Sequence, residues 1–583
     1  MKKLIKNVNT NRTVICCFVA CAFLASCNQE APPEESLRIA FDGAPRTVDP
    51  SSSSSLYEAG LVLATYETLF AYDVTADSLV LVKSLASEWP TSSSDGLTME
   101  VEIHTDSFFA DHEIFPNGIG RNVTAEDVAY SILRHFDPNV VSQGSYLWRG
   151  QIVGIDNWDG DYDSLPEGIE VISAHTIRFS FNNPFPQFVH TLTTAFSAIL
   201  PKEVATNRYQ IGNESLGSGP YRISEMNESR AILIRNERYR TVTAELSERS
   251  NDEYLPIAGK QLPIIDTVVV EFIEEPSSRW INFQSGDLDV IAISDEFLDP
   301  MLNEENELAT RFEELYNLHP YLANESILIR IQMDNDDIGV ADTEARSEFN
   351  RLIRCAVTNA VDWERRNELF YGGEAIIFQG IVPPTLPEHI QRQVLSTQQR
   401  AAKATSFLQE AQTRDQLPVV TIGHTSSVIG RQTFETFRSS LIGVGFPPEK
   451  VRGVSYADFG KLLHGAREGR HQITQSSWGL DYGDASNVLQ LFFGPNAAPG
   501  ANLTNFKNEE YDRLFEIVRN MNPSEQRTNL VSRMQGILES ECVYSGSVAR
   551  ERILISQSSL RGLPNHDPTR IGRYFAYVAF DTN

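Results

Sequence analysis

The 583 residues carry 49 lysines and arginines against 78 aspartates and glutamates, a formal charge of -29. So acidic a surface repels phosphate backbones and anionic headgroups, which argues against nucleic acid and bare anionic lipid as partners. With 41% hydrophobic residues, 35 glycines and 28 prolines, the chain suits two or three packed domains rich in turns, not a disordered polymer.

The amino end holds Lys2, Lys3, Lys6 and Arg12 with no acid, then the apolar run from Val14 to Leu24, then Leu24-Ala-Ser-Cys27. A basic stretch, a short apolar core and small residues describe a secretory signal peptide over residues 1–26. The Leu-Ala-Ser-Cys ending resembles a bacterial lipobox, which implies lipidation of Cys27 as the first mature residue. Asn28 after the cysteine implies outer-membrane sorting in a diderm host, and residues 27–35, with Pro32 and Pro33, read as a lipidated tether. Removing four basic residues and no acids takes the charge from -29 to -33. No second apolar run approaches the length of a membrane span. Beside Cys27, the mature chain keeps only Cys355 and Cys542; they are either one disulfide or two buried thiols.

Ser36 to Phe41 alternates as a strand into Asp42-Gly43, and Tyr57 to Phe70 has helical spacing. Leu97 to Ile103 is an alternating strand after Asp95-Gly96. Thr124 caps a helix from Ala125 to Phe136, with Asp127 as a capping-box partner. Ile177 to Phe181 is a strand. Gly217-Ser-Gly-Pro-Tyr221 is a glycine-rich turn feeding a strand; it lacks the Gly-Lys-Ser/Thr ending and the following helix of a phosphate loop. Thr267 to Phe272 is a buried strand, Pro276 opens a helix that stops at Gly286, and Leu288 to Ile291 returns as a strand. Further on, Ile327 to Met333 is a strand. A helix with Phe349, Leu352, Ile353 and Ala356 on one side follows, then helices over Lys403 to Ala411 and Phe434 to Ile442 around the strand Val419 to Ile422. Asn522 is expected to cap, and Pro523 to open, a last helix with Leu530, Val531, Met534, Ile537 and Leu538 as its apolar stripe. Recurring strand-helix-strand units make this an α/β chain.

The eleven histidines are scattered, with no metal-ligand spacing, and His104 and His112 read as turn or packing residues. No nucleophile elbow and no dinucleotide fingerprint is present. Asp481 and Asp484 flank an aromatic as a glycosidase pair would, but nothing gives them opposite protonation states. Catalytic residues, metal and cofactors are therefore all expected to be none. The stretch Trp478-Gly-Leu-Asp-Tyr-Gly-Asp484, with Val488 to Phe493 behind it, reads as a turn presenting carboxylates beside an apolar surface. Such a turn grips a cation or an ammonium, or is simply a solvated turn after a strand.

Taken in order, several segments resemble the bacterial extracellular solute-binding proteins of family 5, the oligopeptide, dipeptide and nickel-binding components of ABC transporters. They are Thr47-Val-Asp-Pro50, Tyr66-Glu-Thr-Leu69, Leu85-Ala-Ser-Glu-Trp89, Val123 to Ser131, Gly217 to Tyr221, Phe283-Gln-Ser-Gly-Asp-Leu-Asp289, Arg354 to Asp362, and Trp478 to Asp484. The resemblance implies a two-lobed, class II periplasmic-binding-protein-like fold with an extra β-rich domain in the first lobe. It divides the chain into lobe I (36–75, 195–300 and 545–583), the extra domain (76–194) and lobe II (301–544), with hinge segments near 300 and 545. It also implies a monomeric, non-enzymatic lipoprotein of the periplasmic space that delivers a small peptide to ABC permease subunits. By the family's motif, Asp481 would pair with a peptide's terminal ammonium, and Trp478 and Tyr482 would wall or support the ligand. The chain departs from that motif at Ala485, where relatives commonly have proline, and at Gln412, where they have glycine. A non-peptide solute (nickel chelate, sugar, opine or haem) and a cleft hydrolase are the competing expectations.

Overall fold

The computed structural model describes residues 35–53, 55–76, 79–206, 209–248, 250, 252–303, 307–498, 500–564 and 573–581. The expected signal peptide and Cys27 lie outside the described residues. Among the described residues the two largest sheets have seven and six strands. The first runs, edge to edge, Tyr316–Leu322, Glu551–Gln557, Val290–Ile293, Ser36–Phe41, Thr267–Phe272, Arg230–Arg235 and Tyr221–Met226. Its centre is parallel, with Ser36–Phe41 in register along Thr267–Phe272, and its flanks are antiparallel. The Val268-Val-Val270 run is fully enclosed, as an apolar run in a central strand covered on both faces should be.

The second sheet runs Ile376–Phe378, Tyr544–Ala549, Glu325–Ile331, Ile473–Gly479, Val420–Thr425 and Val451–Tyr456. Helices Glu344–Asn359, Thr397–Arg414 and Val428–Gly443 supply the core on one face. On the other face, Val488 to Phe493 and the helices Glu509–Val518 and Glu525–Glu541 form a separate core. The chain passes from the first sheet to the second at Ala323 and Asn324, and returns at Arg550.

A four-stranded antiparallel sheet of Thr91–Ser92, Thr98–Glu102, Thr176–Ser180 and Ile169–Ser173 packs with the helix Ala125–Leu133 around Trp148, Phe179 and Phe188. Glycine is required in the 217–219 turn by proximity. A Cβ at Gly217 would meet the Thr65 carbonyl oxygen at 2.2 Å, and one at Gly219 the Thr65 carbonyl carbon at 2.5 Å. The turn is a packing joint against a helix end.

The helix expected from Phe434 starts six residues earlier, at Val428 behind its Ser427 cap, and three further departures of element boundaries from the sequence reading have a local cause. The helix expected over Tyr57 to Phe70 is Leu56–Thr65, opened by a Ser55 capping box with Glu58. It ends early because Tyr66 turns extended and buries its ring, accepting a hydrogen bond from the Leu216 amide at 3.0 Å, and this frees Phe70–Tyr72 to pair with Leu81–Lys83. The last long helix starts at Glu525, and its cap is Ser524, whose Oγ accepts from the Arg527 amide at 3.2 Å; Asn522 and Pro523 precede it. The middle helix expected from Lys403 spans Thr397–Arg414, started by a capping box of Ser396 and Gln399. Cys355 and Cys542 form a disulfide, Cα atoms 5.1 Å apart, tying the helix Glu344–Asn359 to the end of Glu525–Glu541. No described helix is long and apolar enough to cross a membrane.

Candidate functional site

The strand Ile473–Gly479 hydrogen-bonds to Glu325–Ile331 on one side and Val420–Thr425 on the other. Beyond Gly479 the Leu480 amide donates to the Asn324 carbonyl at 2.7 Å, so the turn stays fastened to the crossing between the sheets. Asn487, fully buried, then fixes two of the expected site residues. Its Oδ1 accepts from the Trp478 indole N–H at 2.9 Å and from the Asp481 amide at 3.1 Å. The half-buried Asp481 carboxylate accepts a short hydrogen bond from the Tyr146 hydroxyl, which comes from the small-sheet region 335 residues away.

Trp478 packs on the apolar cluster behind the turn, while Tyr482 packs on the cluster of the small-sheet region, its hydroxyl 3.3 Å from Ser486 Oγ. Burial pushes the Tyr482 phenol well above its ordinary range, so it stays neutral. Gly483 sits at a close approach: a Cβ would lie 3.0 Å from Leu79 Cδ1 and 3.2 Å from the Tyr72 hydroxyl, so a larger residue would require those side-chain ends to shift. Its amide donates to that hydroxyl at 2.8 Å, and Tyr72 in turn meets His190 Nδ1 at 2.9 Å.

The two acids of the turn separate completely. Asp484 is 3% exposed and accepts from Arg527 Nη2 at 2.7 and 2.9 Å. Arg527, itself fully buried, also pairs with Glu388. Asp484 is thus an internal ion partner and not a presented charge, and burial raises its pKa. That leaves Asp481 as the acid at the junction of the regions. Among the described residues no cluster of three or more histidine, cysteine or carboxylate side chains could hold a metal.

The same strand also walls a cavity of about 370 Å³ in the second sheet. Ile327, Ile329, Ile422 and Ile473 form its apolar interior, with Gln475, Ser477, Thr425, Ser427 and Arg550 as polar lining. Ser427 caps the helix Val428–Gly443, accepting from the Gly430 amide at 3.0 Å, so that helix start opens on the cavity. Ile429 and Phe459, 63% and 49% exposed, stand at its rim. Sequence reading missed these residues. The signals available were Thr425-Ser-Ser427 with Gly430, a strand-to-helix turn, and the hydroxyl pair Ser476-Ser477 just before Trp478. A larger cavity, about 590 Å³, lies at the edge strand Tyr316–Leu322 and contains none of the expected residues; size alone does not mark the site.

A family model for the middle region of bacterial extracellular solute-binding proteins, family 5, matches residues 80–500, more than half of the chain. Haem-binding protein A of Haemophilus influenzae is 21% identical over 79% of this chain and 77% of its own. The dipeptide-binding protein of Escherichia coli is 21% identical over 86% of each. Among solved structures, the Escherichia coli murein tripeptide binding protein MppA superposes with a TM-score of 0.74 at 16% identity, covering 95% of this chain and 99% of its own. The Helicobacter pylori periplasmic binding protein DppA, in complex with the peptide STSA, gives 0.72 at 19% identity, covering 94% and 98%. The mixed α/β fold is therefore that of the periplasmic binding proteins, and the chain belongs to the bacterial extracellular solute-binding proteins, family 5.

Proposed function

We propose that this chain is the extracytoplasmic receptor of an ABC importer, capturing short peptides between two lobes and handing them to permease subunits. In this reading lobe I comprises 36–75, 195–322 and 551–583, lobe II comprises 325–549, and residues 76–194 are an added domain of the first lobe; the bounds expected at 300 and 545 shift because Tyr316–Leu322 belongs to the first sheet and Tyr544–Ala549 to the second. The crossings at Ala323–Asn324 and Arg550 serve as the hinge. Cys27 carries the lipid that holds a monomeric receptor in the periplasmic space, on the outer membrane of a diderm host.

One observation carries the ligand class: Asp481 stands at the junction of the regions on a turn braced by Asn487, with Trp478 beside it. A carboxylate so placed selects a terminal ammonium, and the strand behind it offers a surface along which an extended chain can lie. The relatives' names support the same class, since they include proteins named for dipeptides, di- and tripeptides and oligopeptides. Nothing in the site calls for chemistry, and the relatives are binding proteins.

Native mass spectrometry on the soluble chain starting at Asn28, with release and identification of what it carries, tests the class. A mixture of peptides supports the proposal, and a single non-peptide species transfers the fold to another solute. Asp481→Asn is then expected to weaken peptides with a free amino terminus by about tenfold or more, and acetylated peptides much less. Equal losses in calorimetric titration would remove Asp481 from ammonium recognition.

A further inference from the structure

The cavity of about 590 Å³ is a groove along the outer edge of the seven-stranded sheet. Five consecutive residues of the edge strand, Tyr316 to Pro320, line it; each face of a strand takes only every second residue, so a groove that meets all of them runs along the edge. Pairing with Glu551–Gln557 uses the odd-numbered residues. The Leu315 carbonyl accepts from the Ser558 amide at 2.8 Å and the Ala323 amide donates to the Arg550 carbonyl at 2.9 Å, which fixes the phase of the antiparallel ladder between them. Tyr316, Leu318 and Pro320 therefore turn their backbone groups outward. A proline is tolerated in this strand for that reason, since its missing N–H is not one the sheet uses. Tyr316 and Leu318 each offer an N–H and a C=O to the groove and Pro320 a C=O, with no partner for them among the described residues.

Leu308 belongs to the core on one face of this sheet, and Leu560 and Leu563 to the core on the other, so the groove has an apolar wall on each side. Its charge is acidic. Exposed Glu307 and Glu313 come from the stretch that carries Leu308, and Glu253 lies across the groove. The one lysine or arginine in the lining, Arg561, is already paired with Asp581 at 2.5 Å. His319, 8% exposed, has its Nε2 3.0 Å from Ser556 Oγ, while its Nδ1 has no partner. Burial pushes its pKa from 6.5 to about 4, so the ring is neutral and does not repel a cation.

Proline and charge are the usual defences of a sheet edge, and here they act against acidic chains. A second copy of this protein is among those excluded, because it brings the same glutamates in a chain of 78 acidic and 49 basic residues. Towards a basic chain the same carboxylates attract. We infer that this edge docks an extended, basic segment of a partner protein as an added strand, with lysine or arginine side chains beside Glu307 and Glu313 and the alternate, apolar side chains against Leu560 and Leu563. Tyr316 to Pro320 spans about 14 Å, so about five partner residues are paired. The groove shares no residue with the Trp478 to Asp484 turn, and its strand leads away from the crossing at Ala323 and Asn324. Docking here leaves the peptide site accessible.

The test uses the full mature chain and an acetylated, amidated heptapeptide of alternating lysine and valine, whose blocked ends deny it to an ammonium site. Hydrogen–deuterium exchange read by mass spectrometry locates it. At ten times its Kd the peptide is expected to slow exchange over residues 316–320 about tenfold and to leave residues 478–484 unchanged. The same peptide N-methylated at every residue keeps its charge and loses its backbone donors, and it is expected to protect nothing; so is the analogue with glutamate for lysine. Glu307→Gln combined with Glu313→Gln, both exposed positions, should weaken the lysine peptide about fivefold. No protection of 316–320 at millimolar lysine peptide, or equal protection by either altered peptide, overturns the inference. A doubled mass without peptide, with the same residues protected, gives the edge to a second copy and overturns it as well.

Discussion

Asp481 and Asp484 share one turn and have opposite fates, because a residue's role is decided by what the fold brings beside it. Asp484 is locked to Arg527, 43 residues later, and Arg527 also holds Glu388. Arg527→Leu would leave two buried carboxylates facing each other without a cation. It is expected to cost about 3–5 kcal/mol, read as a lower urea midpoint; a loss under about 1 kcal/mol would show the cluster to be dispensable. His135 gives the pH dependence a sign. It is 3% exposed, lies 2.8 Å from the Phe196 carbonyl and 2.7 Å from Ser142 Oγ, and burial pushes its pKa from 6.5 to about 4. The unfolded chain therefore binds this proton first, so stability is complete above pH 6.5 and falls as the pH drops towards 4. The expected loss is about 2 kcal/mol at pH 5. His135→Gln should flatten the fall in urea midpoint between pH 7 and pH 5, and an unchanged slope would assign it elsewhere. Asp289 works in the opposite direction, since burial raises its pKa to about 6 and the folded form gains as it takes up a proton.

At the scale of the element, local signals were legible wherever the cause was local. The Thr267–Phe272 strand, the Pro276 helix start and the Gly286 stop follow from a run of β-branched residues, a fixed proline φ and a glycine at φ 80°. What sequence could not reveal was hierarchy. Thr124 and Asp127 were legible as a capping pair, yet Asp127 is the hub: it accepts from the Thr124 amide and hydroxyl at 2.8 and 2.9 Å, from the Lys202 amide at 2.9 Å, and from two Arg121 nitrogens at 2.7 Å. Thr124→Ala is expected to cost about 1 kcal/mol. Asp127→Ala, which takes two hydrogen bonds from Arg121 while leaving it paired with Glu203 and strands three other donors, should cost about 2–3 kcal/mol. Equal urea midpoints for the two variants would return the helix start to an ordinary cap. The same limit explains the candidate site. The Trp478 to Asp484 turn announced itself by composition, whereas the cavity of the second sheet is lined by Ile327, Ile422, Gln475 and Arg550, residues far apart in the sequence that no local pattern joins.

At the scale of the whole molecule, the question is how a receptor distinguishes closed from open. Besides the packing of Tyr482 on the small-sheet cluster, hydrogen bonds join the 70–190 region to the second sheet and its helices: Tyr146 to Asp481, the Gly483 amide to the Tyr72 hydroxyl at 2.8 Å, and Gln187 Nε2 to the Met521 carbonyl at 2.9 Å. The order of segments along the chain was readable, but these contacts link residues more than 330 positions apart and no local pattern encodes them. Each holds only while the regions are together, so each favours the closed form by its own free energy. A ligand at Asp481 adds to that sum only through contacts made in the closed form alone. Tyr146 touches the carboxylate expected to hold the ligand, which couples closure to recognition at one atom. Tyr146→Phe keeps the ring and removes the hydroxyl, a loss of about 1–2 kcal/mol from the closed state. The ligand-free protein should then show a larger radius of gyration by X-ray scattering, and saturating peptide should restore the compact value. A radius unchanged by the substitution would mean that the contacts of Tyr72 and Gln187 hold the closed form without Tyr146.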